Sequence, residues 1–413
     1  MFLFFWNQIL YNTLMNVVEK YGGTSVATID NIKKIAKHVA DVKKRGDNII
    51  VVASAMGKTT NKLIEMAKEI GNTKNSREMD SLLSTGEQRT ITLLAMAIET
   101  YGVKAISLTG FQAGFVKSNH HAHAYIKDIN DRKIKKYIKE GYVVVVAGFQ
   151  GATENGEITT LGRGGSDTTA VALAAKLHYD CYIYTDVNGV YTCDPRIYPK
   201  AKKLKEVTYM EMMQMAILGS GVLETRSVEL ASKYNVKLYL GRSLNEDFSK
   251  GTYIMKQTKN LEDMPITGIS IKDDYAILRV TNIKNDGIFL SKLFNLIAKL
   301  NINLDTISQQ LNDDGTVNFT FYCNKAQSDE ILDNAKELEC EYPIKRMLGF
   351  VKLSLVGVGI STHSGIAAKV LNTLNMNNIR YYQITSSEIS ISLTIDEANK
   401  KVAVEKLCEV FDL

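Results

Sequence analysis

Val143-Val144-Val145-Val146-Ala147-Gly148-Phe149-Gln150-Gly151 reads as a strand buried on both faces that stops abruptly in a glycine turn. An uninterrupted apolar, β-branched run leaves no polar face for water, which suits a strand covered by helices on both sides. Ile49-Ile50-Val51-Val52-Ala53 and Cys181-Tyr182-Ile183-Tyr184 repeat the pattern, and helical periodicities alternate with such runs over residues 16–258. The expected fold is a doubly wound, mainly parallel α/β sheet, with ligands at the carboxyl ends of its strands. The chain's glycines gather at those ends.

Outward from this block, residues 256–265 are polar and carry one of only four prolines, so they read as a linker closing a first domain of residues 15–258. Beyond it an internal repeat appears: Phe289-Leu290-Ser291-Lys292-Leu293 and Asn301-Ile302 recur as Ile366-Ala367-Ala368-Lys369-Val370 and Asn378-Ile379. Each copy runs from strand to loop to helix to strand. Two ferredoxin-like βαββαβ modules are expected, over residues 266–335 and 345–413.

The chain has 413 residues, 45% hydrophobic and 23% charged, the balance of a globular protein of roughly two or three domains. Its net charge of +5 is spread along the sequence and gives no case for nucleic acid or a membrane as partner. Cys181, Cys193, Cys323, Cys340 and Cys408 are odd in number and lack a CxxC pair, which argues against a disulfide framework and a zinc site and for a reducing, cytoplasmic setting. Residues 1–14 are apolar at first but have no basic n-region or cleavage site and are too short to span a bilayer. Since Asn16-Val17-Val18 is strand-like, Met15 is the expected natural start and 1–14 an upstream extension.

Lys20-Tyr21-Gly22-Gly23-Thr24-Ser25 follows a first strand and precedes a helix opened by Asp30. Its amides and one ammonium suit a polyphosphate, although a plain strand-to-helix turn uses the same glycines. Gly162-Arg163-Gly164-Gly165-Ser166-Asp167 leads into a helix over residues 168–177 with Ser166 or Asp167 as cap. A helix N-terminus beside a guanidinium makes an anion seat; a capped glycine turn is the plain alternative. Counting excludes two other phosphate motifs. Gly57-Lys58-Thr59 lacks the first P-loop glycine because that position is Val52, and a GxGxxG from Gly162 meets Asp167 instead of glycine.

Taken singly, Glu87, Asp186 and the turn Asp194-Pro195-Arg196 read as solvated residues. His120-His121-Ala122-His123 offers imidazoles without a Cys or carboxylate at ligand spacing, so a solvated loop is expected and no metal ligand. Met210, Met212, Met213 and Met215 read as core or interface filling on a helix.

In this order KYGGTS (20–25), SAMGKTTN (54–61), TGE (85–87), GFQG (148–151), TLGRGGSD (160–167) and TDVNGVYTCDPR (185–196) resemble the motifs of the aspartokinases, of the amino-acid kinase superfamily, and the repeat modules resemble ACT domains. The resemblance covers nearly the whole chain from residue 16. It implies a catalytic kinase domain using ATP and Mg²⁺ to phosphorylate the side-chain carboxylate of L-aspartate, giving 4-phospho-L-aspartate for lysine, threonine and methionine biosynthesis. Lys20, Gly22, Gly23 and Ser25 would hold the ATP phosphates, and Thr60, Glu87, Arg163 and Ser166 the aspartate, with Arg163 on its α-carboxylate and Glu87 on its α-ammonium. Asp167 would orient Lys20, and Thr185, Asp186, Tyr191 and Arg196 would line the nucleotide site. Such pairing suits the chemistry, since a guanidinium forks a planar carboxylate and an anion reads an amine.

The modules would bind lysine, threonine or both as inhibitors and join the chain into a homodimer or homotetramer. Asp286, Gly287, Ile288, Asn303 and Asp305 are the implied contacts in the first, and Ser364, Gly365, Ser386, Ser387 and Glu388 in the second; the last three also read as a polar turn between strands. No fused homoserine dehydrogenase is expected. One stretch departs from the family pattern: Gly221 stands where a lysine is frequent, and Glu224-Thr225 where His-Pro is. That departure keeps open a catalytically weak amino-acid sensor of the same architecture.

Overall fold

A computed structural model describes residues 15–71, 76–122, 124–162, 164–243, 250–257 and 265–413. The 1–14 extension, His123, Arg163 and most of the linker lie outside the described residues. The chain divides into two units, one of residues up to 191 with 203–216 and 221–261, the other of 192–202, 217–220 and 262–413. The second unit therefore claims two excursions from within the span expected to be the first domain.

The strands of the first unit are β1 (Asn16–Tyr21), β2 (Asn48–Ala53), β3 (Ala105–Leu108), β4 (Phe115–Lys117), β5 (Ile126–Ile129), β6 (Val143–Ala147), β7 (Gln150–Ala152), β8 (Ile158–Thr160), β9 (Asp180–Thr185), β10 (Glu206–Thr208), β11 (Leu238–Arg242) and β12 (Thr252–Met255). Eight of them form a sheet in the order β10-β12-β11-β9-β1-β2-β6-β3. It is parallel from β11 to β3, and only the β11–β12 pairing is antiparallel. Every residue of β6 and all of β2 after Asn48 are buried, the two-sided cover that their unbroken apolar runs foretold.

The helix Ile29–Lys44 buries Ile32, Ile35, Ala36, Val39 and Ala40, one face at helical spacing. Its cap is Thr28, whose hydroxyl accepts the Asn31 amide, not Asp30, which lies within the first turn. A small sheet β5-β4-β7-β8 stands apart from the large one. Met212 and Met215 are core residues, as read from the sequence, while Met210 is half exposed. Among the described residues no helix is long and apolar enough to cross a membrane.

In the second unit β13 (Gly268–Lys284), β14 (Ile307–Leu311), β15 (Thr316–Asn324), β16 (Lys345–Val356), β17 (Tyr381–Ser386) and β18 (Ser390–Asp396) form one antiparallel sheet, β14-β15-β13-β16-β18-β17. Two long strands are shared. The later part of β13, from Tyr275, pairs with β15 and the start of β16, completing one βαββαβ module. The earlier part, Gly268 to Lys272, pairs with the end of β16 and gives the other module its edge. The break between them is a bulge at Asp274, which holds φ 60°. The expected boundaries, 266–335 and 345–413, thus miss that one module is inserted within the other, because a strand's apolar pattern does not say where its partner changes.

Two cores follow this division: Leu278, Val280, Phe289, Leu293, Val317, Phe319 and Phe321 in the inserted module, and Ile266, Ile269, Val351, Leu353, Val370, Leu393, Val404 and Leu407 in the other. Cys193 and Cys408 meet in the second core as free thiols, with sulfurs 3.3 Å apart.

Candidate active site

The loops that leave the central strands are laced together along one edge of the large sheet. Gly148 after β6 donates its amide to Ala53 of β2, Ser54 after β2 donates to Tyr21 of β1, Gly22 after β1 donates to Tyr184 of β9, and Ser243 after β11 donates to Thr185 of β9, all within 3.0–3.1 Å. Each link caps a neighbouring strand's last carbonyls and fixes the next loop, so four motifs distant in sequence become one rigid rim.

Lys20 is in β1, largely buried, and its Nζ lies 2.6 Å from Asp167 Oδ1. Asp167 belongs to the first turn of the helix Gly165–Leu177, which starts three residues earlier than expected behind a left-handed Gly164 at φ 63°. Neither Ser166 nor Asp167 is its cap, and the Asp167 carboxylate turns to Lys20. A side chain at Gly22 would begin 3.5 Å from the Lys20 ammonium, and one at Gly23 would meet the Ala55 carbonyl at 2.8 Å. Gly22 therefore leaves the space beside the ammonium clear, and Gly23 lets its backbone pack closely against the loop after β2. Gly148 serves the facing wall, where an added Cβ would strike the Ser166 hydroxyl at 2.6 Å.

Glu87 lies on the helix Ser76–Glu99 and is 4% exposed. Its Oε1 accepts the Ala55 amide at 3.2 Å, whereas Oε2 is buried with no hydrogen-bond partner. Burial pushes the Glu87 carboxyl up to about 7, against the pull of backbone amides and of Lys117. The solvated reading of Glu87 is corrected: the loop after β2 passes directly over it. A buried acceptor left open in this way is fitted for a cationic ligand group.

Thr60 sits, half buried, in the first turn of the helix Thr59–Ile70. Thr185 ends β9 and its hydroxyl donates to the exposed Asp186. Tyr191 bridges Lys203 through its backbone. Arg196 is in the segment 192–202 of the other unit, where it forks the Asp194 carboxylate at 2.7–3.1 Å. Arg163 lies outside the described residues.

Sequence reasoning missed three participants. Lys117, 1% exposed, donates to the carbonyl of Phe149 at 2.9 Å and so pins the GFQG turn; burial holds its pKa well below the ordinary lysine value. Asp80, also buried, receives Thr160, the Ala122 amide and His121 Nδ1, which is 3.0 Å away. The histidine loop is therefore docked on a carboxylate at His121 and is not simply solvated. Ser243 donates to Ser25 at 2.7 Å. None of the three belongs to a glycine motif, and only tertiary packing brings them in.

In the second unit, Asp286 caps the Ile288 amide at 3.0 Å beside left-handed Gly287. Asn303 and Asp305 lie at the far end of the intervening helix, roughly 18 Å along its axis, so one chain does not bring these candidates together. Asp305 is already engaged by Lys272 at 2.7 Å and Lys352 at 2.6 Å. Burial pushes its carboxyl up, but the two ammonium groups outweigh this and hold it below the usual range. Gly365 is the left-handed start of the helix Ile366–Met376, next to exposed Ser364. Ser386, Ser387 and Glu388 form the tip between β17 and β18, with Ser387 bonded to Ser390.

Residues 15–242 match the amino acid kinase family and residues 353–411 an ACT domain. The chain is 43% identical to an aspartokinase of Bacillus sp. strain MGA3, covering 96% of this chain and 97% of that one. It is 36% identical to the crystal structure of the Synechocystis aspartate kinase, covering 96% of this chain and 70% of that one at a TM-score of 0.53. The fold also matches Escherichia coli aspartokinase III in complex with aspartate and ADP, at a TM-score of 0.82 and 23% identity, over 96% and 100% of the two chains. The chain belongs to the amino acid kinase family and, within it, to the aspartokinases.

Proposed function

We propose that this enzyme transfers the γ-phosphoryl group of ATP to the side-chain carboxylate of L-aspartate and that lysine, threonine or both inhibit it through the ACT modules. The observation that carries the catalytic reading is the juxtaposition of Lys20, paired with Asp167 at 2.6 Å, with Gly22 beside its ammonium and the close-packed Gly23 turn that follows. The aspartate nucleophile has a reference pKa of about 3.9 and needs no general base. What it needs is relief from charge repulsion as one anion approaches another. The Lys20 ammonium and the rim amides provide it, while Glu87 and Arg163 set the orientation of the amino acid through its ammonium and α-carboxylate.

Among the described residues no group of three metal-ligating side chains gathers at this rim. The donor set suits a magnesium ion that would arrive on the nucleotide phosphates, with Asp186, exposed one residue beyond β9, as a carboxylate that could face it. Its chemistry would be to neutralise phosphate charge. Five cysteines without a disulfide suit a reducing cytoplasm, and a homodimer or homotetramer through the modules would give inhibition a route between subunits.

The test is an aspartyl-phosphate assay with ATP and Mg²⁺, run with L-aspartate and then with added lysine or threonine. Aspartate-dependent turnover suppressed by one of these is the expected result. Amino-acid binding by calorimetry without turnover would favour the sensor reading raised by Gly221 and Glu224.

A further inference from the structure

Ser243 stands one residue beyond β11, at the carboxyl edge of the sheet, next to β9 and one strand removed from β1. Its backbone amide holds the Thr185 carbonyl at 3.1 Å and its hydroxyl donates to Ser25 Oγ at 2.7 Å, with the Thr185 carbonyl a distant alternative at 3.4 Å. Both serines are buried, Ser25 to 2% exposure and Ser243 to 8%. A hydroxyl has one proton to give and two lone pairs to receive with. Because Ser243 spends its proton on Ser25, the Ser25 oxygen is the acceptor of that pair, and its own proton is left to point elsewhere.

We propose that Ser243 is a positioning residue for nucleotide binding: it fixes the rotamer of Ser25 so that the Ser25 hydroxyl proton is presented to a phosphate oxygen. The inference rests on the reading of Ser25 as a phosphate contact. Without Ser243, Ser25 rotates among its staggered positions and can turn its proton to a backbone carbonyl, as serines commonly do. The rim geometry supports this assignment, since Gly22 and Ser243 hang on consecutive carbonyls of β9, those of Tyr184 and Thr185. The phosphate loop is thus held from one side by backbone and from the other by a side chain that no sequence motif announces.

The experiment is calorimetric titration of the full-length enzyme with MgATP, paired with steady-state kinetics, for Ser25→Ala, Ser243→Ala, Ser243→Thr and the double Ser25→Ala/Ser243→Ala variant. Loss of one neutral hydrogen bond predicts that Ser243→Ala weakens MgATP binding roughly three- to tenfold, with the aspartate KM unchanged. Ser243→Thr, which keeps the hydroxyl, restores binding, and the double variant is no weaker than Ser25→Ala alone. A merely structural role would lower thermal stability and affect both substrates alike, which would overturn the proposal. If Ser25→Ala weakens binding and Ser243→Ala does not, the proposal fails while the role of Ser25 stands. If Ser25→Ala changes nothing, the phosphate reading of Ser25 falls and the proposal with it. Should Ser243→Ala fail to fold, Ser243→Cys, close in size but a weak donor, takes its place and is expected to behave as the alanine variant.

Discussion

The two oxygens of Glu87 are placed unequally, one on the Ala55 amide and one buried without a partner. A carboxyl pushed up to about 7 is only partly ionised in the free enzyme at neutral pH. If this carboxyl takes the aspartate ammonium, as proposed, it does so as the carboxylate, so kcat/KM for aspartate should rise as pH increases through about 7, while that for ATP stays level. Glu87→Gln should lower kcat/KM for aspartate roughly 10- to 100-fold and abolish the rising limb; a limb that survives would assign the titration to another group. Lys20 and Arg163 divide the remaining work differently. In the proposed mechanism Lys20→Met removes the charge that offsets nucleophile–phosphate repulsion and should cut kcat by roughly 10²–10³, whereas Arg163→Ala should chiefly raise the aspartate KM, both read from steady-state kinetics. Of these three residues the sequence singled out all by motif, yet it could not tell that Glu87 is buried. A lone carboxylate on a polar helix looks solvated until the loop that covers it is known.

At the scale of the element, β1 has two faces with separate tasks. Lys20 faces the rim, while Glu19 and Tyr21 turn to the other side, where Glu19 accepts Tyr21 Oη at 2.8 Å and sits 3.1 Å from His38 Nε2. Burial pulls the His38 imidazolium down, but the hydrogen bond and charge of Glu19 outweigh it, leaving the pKa above its ordinary value. A raised folded-state pKa means that the pair's contribution to stability is complete below the unfolded value of about 6.5 and is lost as pH rises through the folded one. Thermal unfolding of His38→Gln against the wild type should therefore show its widest Tm gap near pH 6 and a narrower one near pH 9. Elements such as β2 and β6 were legible because burial on both faces leaves an unbroken apolar run. Caps were not: Thr28 and Gly164 mark the helix starts because of backbone torsions that neighbouring Asp30 and Asp167 give no hint of. Ser243 and Lys117 were illegible for a related reason, since their partners are backbone or hydroxyl groups far away in sequence.

At the scale of the whole molecule, the regulatory part is a single sheet through which the chain passes twice. The internal repeat revealed two modules, but an apolar stretch such as Ile269 to Ile271 reads as strand whichever neighbour it pairs with, so the sequence could not show that Gly268 to Lys272 serves the module formed mostly by residues after 350. Asp305 reinforces the join, because the loop before β14 places its carboxylate between Lys272 and the 5% exposed Lys352, one lysine from each shared strand. Removing the carboxylate would strand a buried ammonium, and Asp305→Ala should destabilise the protein by roughly 3–5 kcal/mol in denaturant unfolding. The shared strands make a sharper claim about folding units. A fragment of residues 345–413 retains the helices Ile366–Met376 and Lys400–Phe411 but lacks the edge strand, and with it Ile266 and Ile269 from the core. Its β16 would present an unpaired, apolar edge to solvent, the arrangement that drives sheets to associate. Expressed alone, that fragment should be unfolded or aggregated by circular dichroism and size-exclusion chromatography. Residues 265–413, which contain both shared strands whole, should give a cooperative unfolding transition, and a stable, monomeric 345–413 would show that the strand exchange is dispensable.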